Sequence, residues 1–313
     1  MKIRLGYVAI SKALEGITSS STLTYTNFKN NNDLEKLNEI IISNFEALIK
    51  ILNYNVKNNI HFYRLTSKLI PLATHKKVNF EYIETYKNYY NKISKIINDN
   101  NIRIDVHPDQ FCVLNSTKKD VVANSIEILK YHISILEALN IKNPIIVLHV
   151  GSSVFGKEKS IQRFINTFNK LPTNIKKAIA LENDDKVYNA QDVLYICQKL
   201  NIPFVFDYHH HRCNPCDNLN MKAILDTWHN INPKVHISSP KNKLKKEFRS
   251  HSDYIYVDDF INLINILKQN NKNIDIMIEA KAKDDALFRL IRQLKYKTNY
   301  KFIDETSFFV DNN

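Results

Sequence analysis

The sequence predicts an α/β fold, a single (β/α)₈ TIM barrel with a cluster of metal-ligand residues at the carboxyl-terminal mouth of its strands. Short apolar segments typical of strands alternate with longer segments of helical periodicity, as expected of a parallel sheet covered by helices. Nearly every strand segment ends at or near a residue that can bind a metal. The length of 313 residues suits one such barrel, and we expect residues 1–313 to form one domain.

The predicted strands are short, apolar and bounded by polar or turn-forming residues. The clearest is residues 144–150, in which a run of aliphatic residues precedes His149. The predicted strands cover residues 3–8, 61–65, 102–106, 144–150, 178–182, 203–208, 234–238 and 275–279.

The segments between these strands have the apolar spacing of amphipathic helices. Residues 34–56 give the strongest pattern, since apolar residues such as Leu37, Ile41 and Phe45 lie three or four positions apart. The other predicted helices cover residues 80–97, 121–139, 161–168, 193–200, 221–228, 260–267 and 286–294.

An open, doubly wound sheet is the alternative architecture. Such folds carry a glycine-rich phosphate loop after the first strand. This chain has no such loop and only four glycines in total, which favours the barrel.

The composition indicates which kind of partner and which cellular compartment to expect. The formal net charge of +12 favours a polyanionic partner, although abundant lysine, asparagine and isoleucine are also typical of an AT-rich genome. No segment is apolar and long enough to span a membrane, and no signal peptide is apparent. Four cysteines do not indicate a disulfide framework, and the single pair Cys213 and Cys216 is weak evidence for a zinc or redox motif. We expect a cytoplasmic protein.

Ionisable residues at one barrel mouth would repel one another or lie unsatisfied unless a cation joined them. Imidazole and carboxylate ligands without thiolates suit zinc or manganese. A cluster of divalent metals is therefore predicted. The candidates at or near strand ends are Tyr7, His107, His149, Glu182, Asp207, His210, His236 and Glu279, and His251 lies in the loop after the seventh strand.

The spacing from Asp207 to His210 would allow two adjacent metals to share one segment, with one residue pointing into the barrel and the other on the following loop. The three consecutive histidines 209 to 211 cannot all be ligands, so at least one must support a ligand or contact phosphate.

At these motifs the chain resembles the UV damage endonuclease family, ATP-independent nucleases that nick DNA 5′ to ultraviolet photolesions. The resemblance runs from residue 4 to residue 281. It depends on several motifs in the same order: Phe62-Tyr63-Arg64, Leu69-Ile70-Pro71 through His75, His107-Pro108-Asp109-Gln110-Phe111, Leu148-His149-Val150-Gly151, Leu181-Glu182-Asn183-Asp184, Asp207-Tyr208-His209-His210-His211 and Lys281-Ala282-Lys283-Asp284.

The resemblance implies up to three divalent metals, usually Mn²⁺, with Zn²⁺, Co²⁺ or Mg²⁺ as alternatives and no nucleotide cofactor. Glu182 would bridge the first two. By matched positions, the first metal would be held by His107, His149 and Glu182, the second by Glu182, Asp207, His236 and Glu279, and the third by His210 and His251.

The third site is one carboxylate short. In the family, a lysine matching Lys234 is carboxylated, which would supply the missing anionic ligand; the alternative is an ordinary lysine at a strand start. The resemblance also puts His75 near the scissile phosphate. It implies hydrolysis that leaves a 3′-hydroxyl and a 5′-phosphate.

Lesion recognition is implied by the same matches. Gln110 and Phe111 would wedge into the duplex where the damaged bases leave the stack, and Tyr7 would line the lesion pocket. Phe111 lacks the hydroxyl of the tyrosine that is frequent at this position.

Basic residues near the mouth are candidate contacts to the DNA backbone. They include Arg64 and the dense run at residues 241–249, in which Lys245, Lys246 and Arg249 lie. The alternative is a solvated loop.

The predicted partner is double-stranded, damaged DNA, bound by a monomer. Two other enzyme classes stay open: an abasic-site nuclease of the endonuclease IV type, and a sugar isomerase related to xylose isomerase. A metal-free binding module is hard to reconcile with so many converging ligands.

Overall fold

Eight parallel strands form a closed barrel in the computed structural model, which describes residues 1–31, 34–242, 244 and 246–311. The strands pair in chain order, and the barrel closes because β1 pairs with both β8 and β2. The predicted fold class is confirmed. The barrel strands are β1 Lys2–Val8, β2 Phe62–Leu65, β3 Arg103–Val106, β4 Ile146–His149, β5 Ile179–Glu182, β6 Phe204–Asp207, β7 Lys234–Ile237 and β8 Ile274–Ile278.

Helices cover the outside of the barrel. The longest buries Leu37, Ile41 and Phe45 against the core, as its apolar spacing predicts. The predicted helix at residues 80–97 is divided at Tyr86, which lies between two helical segments. The helices are α1 Tyr25–Asn31, α2 Leu34–Lys57, α3 Tyr82–Thr85, α4 Lys87–Asp99, α5 Lys119–Ala138, α6 Lys157–Asn169, α7 Thr173–Ala178, α8 Ala190–Leu200, α9 Tyr208–Cys213, α10 Met221–Asp226, α11 Val257–Leu267 and α12 Lys283–Lys297.

Two further strands at the end of the chain extend the sheet beside β1. They are β9 Lys301–Phe302 and β10 Ser307–Phe309. β10 pairs antiparallel with the first half of β1, whereas the second half of β1 pairs with β2. Phe308 is fully buried and stacks on Tyr300 with ring centroids 5.2 Å apart. No strand was predicted for this segment.

The end of the sixth strand differs from the prediction. β6 ends at Asp207, and α9 begins at Tyr208, so His210 lies on a helix and not on a loop. The Asp207 carboxylate accepts a hydrogen bond from the backbone N–H of His210, which is a typical helix N-cap. This first turn brings the His210 ring back to within 3.7 Å of the Asp207 carboxylate.

The interior of the barrel is partly apolar and partly charged. Val147, Ala180, Val205 and Trp228 belong to a small apolar cluster separate from the main core between strands and helices. Strands β1, β3 and β8 contribute a charged group, because Asp275 pairs with two arginines. These arginines are Arg4 at 2.5 Å and Arg103 at 2.7 Å.

A second charged group lies along β2, β3 and β7. The Lys234 Nζ is 2.5 Å from an Asp105 oxygen, and the Arg64 guanidinium approaches the other oxygen at 3.5 Å. Buried ions are tolerated only when paired in this way. In the described part of the chain, no helix is long and apolar enough to cross a membrane.

Candidate metal centre

The alternation of side chains along each strand directs the metal-ligand residues into the barrel. On β4, Leu148 packs outward in the main core, whereas Val147 lies in the interior cluster, and His149 shares its face. The strands from β3 to β8 follow the same rule, so one polar residue at or next to the end of each of these six strands points to the mouth. The residues brought together are His107, His149, Glu182, Asp207, His236 and Glu279.

These residues form two groups that share Glu182. The first group is completed by His107 and His149, and within each group the ligand atoms lie within 4.8 Å of one another. Glu182 Oε2 is 2.9 Å from His107 Nε2 and 3.6 Å from His149 Nε2. Its other oxygen, Oε1, is 2.8 Å from the Nδ1 atom of His236 in the second group. The two oxygens of one carboxylate therefore face two different groups, as a bridging ligand requires.

Protonation in the site favours metal binding, which needs neutral imidazoles and ionised carboxylates. Burial disfavours the ionised form of Glu182, but the neighbouring His236 and His149 hold the pKa of this carboxyl well below its ordinary value. Burial lowers the pKa of His236 to about 4. Burial also lowers the pKa of His149, against the opposing effect of Glu182. At neutral pH these three side chains are in the forms that bind cations.

The donor set fits divalent metals. Asp207 and Glu279 complete the second group with Glu182 and His236, so three carboxylates converge on a buried volume. The buried Asp207 Oδ2 has no hydrogen-bond partner among the residues that the structure describes. Burial raises the pKa of Asp207 to about 6, and Glu182 and Glu279 add to this rise. An unpartnered oxygen in a negatively charged cluster is a position for a cation.

The ligands predicted for a third metal are near but less closely assembled. The His210 and His251 rings have centroids 6.2 Å apart, and His210 lies 5.6 Å from the His149 ring. The Nδ1 atom of His210 is 2.9 Å from the Asn183 carbonyl oxygen, which leaves Nε2 for a ligand. Among the described residues, neither histidine belongs to the two groups. A third metal stays a prediction.

Lys234, predicted to complete the third site, lies in the barrel interior. Its fully buried ammonium contacts Asp105 and lies 5.4 Å from the centre of the Phe62 ring, one inward-facing position below His236. Burial lowers the pKa of Lys234 to about 7, although Asp105 opposes this effect. As an ammonium, Lys234 forms an ion pair in the barrel interior, and its carboxylation stays a prediction.

Arg64 lies in a different place from the one predicted. It was predicted to contact DNA, but its side chain is 7% exposed and lies inside the barrel. Its Nη1 atom donates to Glu279 Oε1 at 2.6 Å, and its Nη2 atom is 2.7 Å from His236 Nε2. Arg64 therefore orients two candidate metal ligands and is not on the surface that a phosphate backbone could touch.

Tyr7 also differs from its prediction as part of the lesion pocket. It is fully buried on the outer face of β1, in the layer between barrel and helices. Its hydroxyl donates to Asn55 Oδ1 of α2 at 2.7 Å, and its ring meets Tyr63 edge-on at 5.3 Å. The alternation of side chains along β1 explains the difference. Arg4 points into the barrel, so Tyr7, which is an odd number of positions later, points outward.

The predicted wedge lies exposed at the mouth, in the loop after β3. Gln110 is exposed, and Phe111 is 71% exposed, which is unusual for a phenylalanine. His75, in the loop after β2, is half-buried and stacks on Tyr25 with ring centroids 3.9 Å apart. The roles predicted for these residues stay predictions.

The basic run follows β7, in a loop whose ends are joined between Pro240 and His251. Lys246 and Arg249 are exposed, and the Arg249 guanidinium lies 3.6 Å from an Asp185 oxygen. Lys245 lies outside the described residues. Lys246 and Arg249 therefore lie at the surface on the mouth side of the barrel, and their contact with DNA stays a prediction.

One site residue was missed from the sequence. Asn183 is fully buried and exchanges two hydrogen bonds with the backbone of Asp207, at 2.8 and 3.0 Å. Its own carbonyl oxygen faces His210. Asn183 thereby fixes the junction between β6 and α9. Its position directly after Glu182 was the one feature of the sequence that could have indicated a role in the site.

The fold and site define a (β/α)₈ barrel with a candidate metal centre at its carboxyl-terminal mouth. The chain matches the sequence model of the UV-endonuclease UvdE family over residues 3–307. A UV DNA damage endonuclease of a Bacillus cereus strain is 46% identical over 303 residues, covering 94% of this chain and 95% of that protein.

Solved structures agree with this match. The crystal structure of SacUVDE superposes with a TM-score of 0.85 at 33% identity, covering 94% of this chain and 98% of that one. Endonuclease IV from Thermus thermophilus shares the fold alone, with a TM-score of 0.59 and 10% identity over 94% of this chain and 100% of that one. The chain belongs to the UvdE family of UV endonucleases, as its motifs predict.

Proposed function

We propose that this protein is a metal-dependent endonuclease that nicks double-stranded DNA 5′ to ultraviolet photolesions, both cyclobutane pyrimidine dimers and 6-4 photoproducts. The products would be a 3′-hydroxyl and a 5′-phosphate. The observation that carries the proposal is Glu182, whose two oxygens face two groups of metal-ligand residues at the mouth of a UvdE-family barrel.

Each ligand group has a distinct part in this proposal. His107 and His149 would hold the first ion with Glu182, and Asp207, His236 and Glu279 would hold the second with it. Divalent ions bound there would supply charge stabilisation at the phosphate and an activated water. Mn²⁺ is the proposed metal, and Zn²⁺, Co²⁺ and Mg²⁺ are alternatives with the same oxygen and nitrogen ligands. His210 and His251 are candidates for a third ion.

Residues below the ligands keep the site ordered. Arg64 contacts Glu279 and His236, and it lowers the pKa of the Glu279 carboxyl against the opposing effect of burial. Asn183 holds Asp207 through its backbone. With these contacts the ligands are positioned before any ion binds, which lowers the conformational entropy lost on binding.

Recognition of the lesion is proposed to occur in the loops above the ligands. A photolesion inside a duplex must leave the stack before an enzyme can reach it, and damage lowers the free energy required. Gln110 and Phe111 are exposed at the mouth, where they can fill the gap. Lys246 and Arg249 would bind phosphates, which position the duplex without reading the lesion. We propose that the protein binds damaged DNA as a monomer.

The test is an incision assay on three end-labelled duplexes: undamaged, abasic, and carrying one photodimer. Purified protein is treated with a chelator and then supplied with Mn²⁺. We expect a nick directly 5′ to the photodimer, at an end that a polymerase can extend, and no nick before metal is added. Cleavage of the abasic duplex alone would identify an abasic-site nuclease, and no cleavage of any duplex would refute the proposal.

A further inference from the structure

The loop after β4 presents a second exposed aromatic residue at the mouth. Phe155 is 74% exposed and Val154 is 48% exposed. The backbone of Phe155 has φ +66°, in the left-handed region that bulky residues rarely adopt. A conformation of this kind persists only where surrounding contacts hold it, and such positions cluster at functional sites.

Those contacts hold the backbone on both sides of Phe155. The Arg163 Nη2 atom and the Ser160 hydroxyl both donate to the Val154 carbonyl, at 2.6 and 3.0 Å. The Gly156 N–H donates to the Ser153 carbonyl at 3.0 Å, which closes a tight turn. The ring therefore stands on a fixed backbone, so little conformational freedom is lost when it meets a partner.

The same loop is tied to the loop that carries Phe111. Asn115 is fully buried; its Oδ1 accepts from the Ser152 N–H at 2.8 Å, and its Nδ2 donates to the Ser152 carbonyl at 2.7 Å. Gly151, at φ +105°, allows this approach, because a Cβ there would lie 2.8 Å from Asn115 Oδ1. Phe111 and Phe155 therefore stand on two mouth loops with a common support.

The position favours DNA as the partner of this ring. The loop starts just after His149, so it borders the metal-ligand groups. Lys159 follows it and is exposed, as is Lys157, whose ammonium pairs with Asp192 at 2.8 Å, in a chain of net charge +12. An exposed aromatic ring beside cations fits a single-stranded or unstacked nucleic acid, in which bases offer stacking faces and phosphates offer charge.

We propose that Phe155 is a second lesion-reading residue, which packs on a nucleobase exposed when the lesion leaves the stack. Extrusion leaves the bases on both sides of the gap without a stacking partner, so a ring on the neighbouring loop has a base face to meet in addition to the pair Gln110 and Phe111. This inference rests on the proposed activity toward damaged DNA, since an intact duplex offers no free stacking face.

The test is equilibrium binding, measured by fluorescence anisotropy, to a photodimer duplex and its undamaged counterpart. All variants carry Glu182→Gln, so that no DNA is cut during the titration. Phe155→Ala should weaken binding to the photodimer duplex roughly tenfold, the effect of losing one base–aromatic stack, with little change on undamaged DNA. Phe155→Tyr should restore the affinity because it keeps the ring.

The matched control is Tyr296→Ala, which removes an aromatic ring that is 91% exposed on the last turn of α12, away from the mouth. It should bind both duplexes like the parent. Phe155→Ala binding like this control, or losing affinity equally for both duplexes, would overturn the proposal. Either of these two results would refute the role of Phe155 and leave the proposed function standing. If the Glu182→Gln protein with Phe155 intact fails to prefer the photodimer duplex, the proposed function fails, and the role of Phe155 fails with it.

Discussion

The inner wall of the barrel mouth and the loops above it differ in almost every physical property. The wall is buried and charged: Glu182 is 1% exposed and is contacted by four histidines. The loops are exposed and partly apolar, with Phe111 and Phe155 more than two-thirds exposed. Groups in the wall are stabilised by one another before any substrate arrives. The aromatic groups on the loops gain a partner only on binding, which suits recognition and not chemistry.

The largest expected effect comes from the wall. Glu182→Gln should abolish incision, because a neutral amide offers one oxygen and cannot bridge two cations. Binding to photodimer DNA should persist, since the loops are unchanged. The measurement is single-turnover incision with metal content determined in the same sample. Glu127→Gln, an exposed substitution on α5, is the control. Substantial incision with full metal content would remove Glu182 from the mechanism.

Arg64 provides the next test of the wall. Arg64→Met leaves the largely buried Glu279 without its cation, and breaking a buried ion pair in this way costs roughly 3–5 kcal/mol. We expect that loss in the free energy of unfolding of metal-free protein, and a smaller loss with Mn²⁺ bound, because the ion also neutralises Glu279. Arg64→Lys should retain part of the free energy of unfolding that Arg64→Met loses. Denaturant unfolding with and without metal measures both. An equal loss in the two states would mean that Arg64 has only a structural role.

A smaller effect is expected from the loops, and it should be a loss of affinity for damaged DNA and not a loss of incision. Changing Gln110 and Phe111 together to Ala should weaken binding to photodimer duplex by about one to two decades, because base–aromatic stacking contributes roughly 1–3 kcal/mol per base. Undamaged duplex should be affected much less. Anisotropy titrations of both duplexes separate these outcomes. Equal weakening would show that this pair contacts DNA without reading the lesion.

The smallest effect is expected from the basic run after β7. Each phosphate that a protein neutralises contributes about −0.9 to the slope of log affinity against log salt. Lys246→Ala with Arg249→Ala should flatten the slope by up to about two units on damaged and undamaged DNA alike. Lys170→Ala, at the end of α6, is the control. An unchanged slope would show that these residues are solvated surface. Lys245, outside the described residues, is open to the same test.

The strength of each local pattern explains what the sequence could predict. Runs such as Ile146–His149 combine an apolar strand with a terminal polar residue, and parallel strands necessarily bring those ends to one mouth. The ligand groups were therefore predictable. Strands β9 and β10 are two and three residues long, too short to show periodicity.

Which face a side chain occupies was harder to predict. Both faces of β1 and β2 are largely buried, so hydrophobicity does not distinguish inside from outside. Tyr7 and Arg64 were both predicted to contact DNA, and both lie buried. Tyr7 lies between the barrel and the helices, and Arg64 lies inside the barrel. Only the pairing of the strands decides this, because a shift of one residue exchanges the two faces.

The most direct test of the central claim is anomalous diffraction at the manganese edge, from crystals of the protein soaked with Mn²⁺. Two peaks are expected, about 3.5–4 Å apart, one on each side of the Glu182 carboxylate. One should contact His107 and His149, and the other Asp207, His236 and Glu279. Absence of any peak at the mouth, or peaks that do not contact Glu182, would contradict the account.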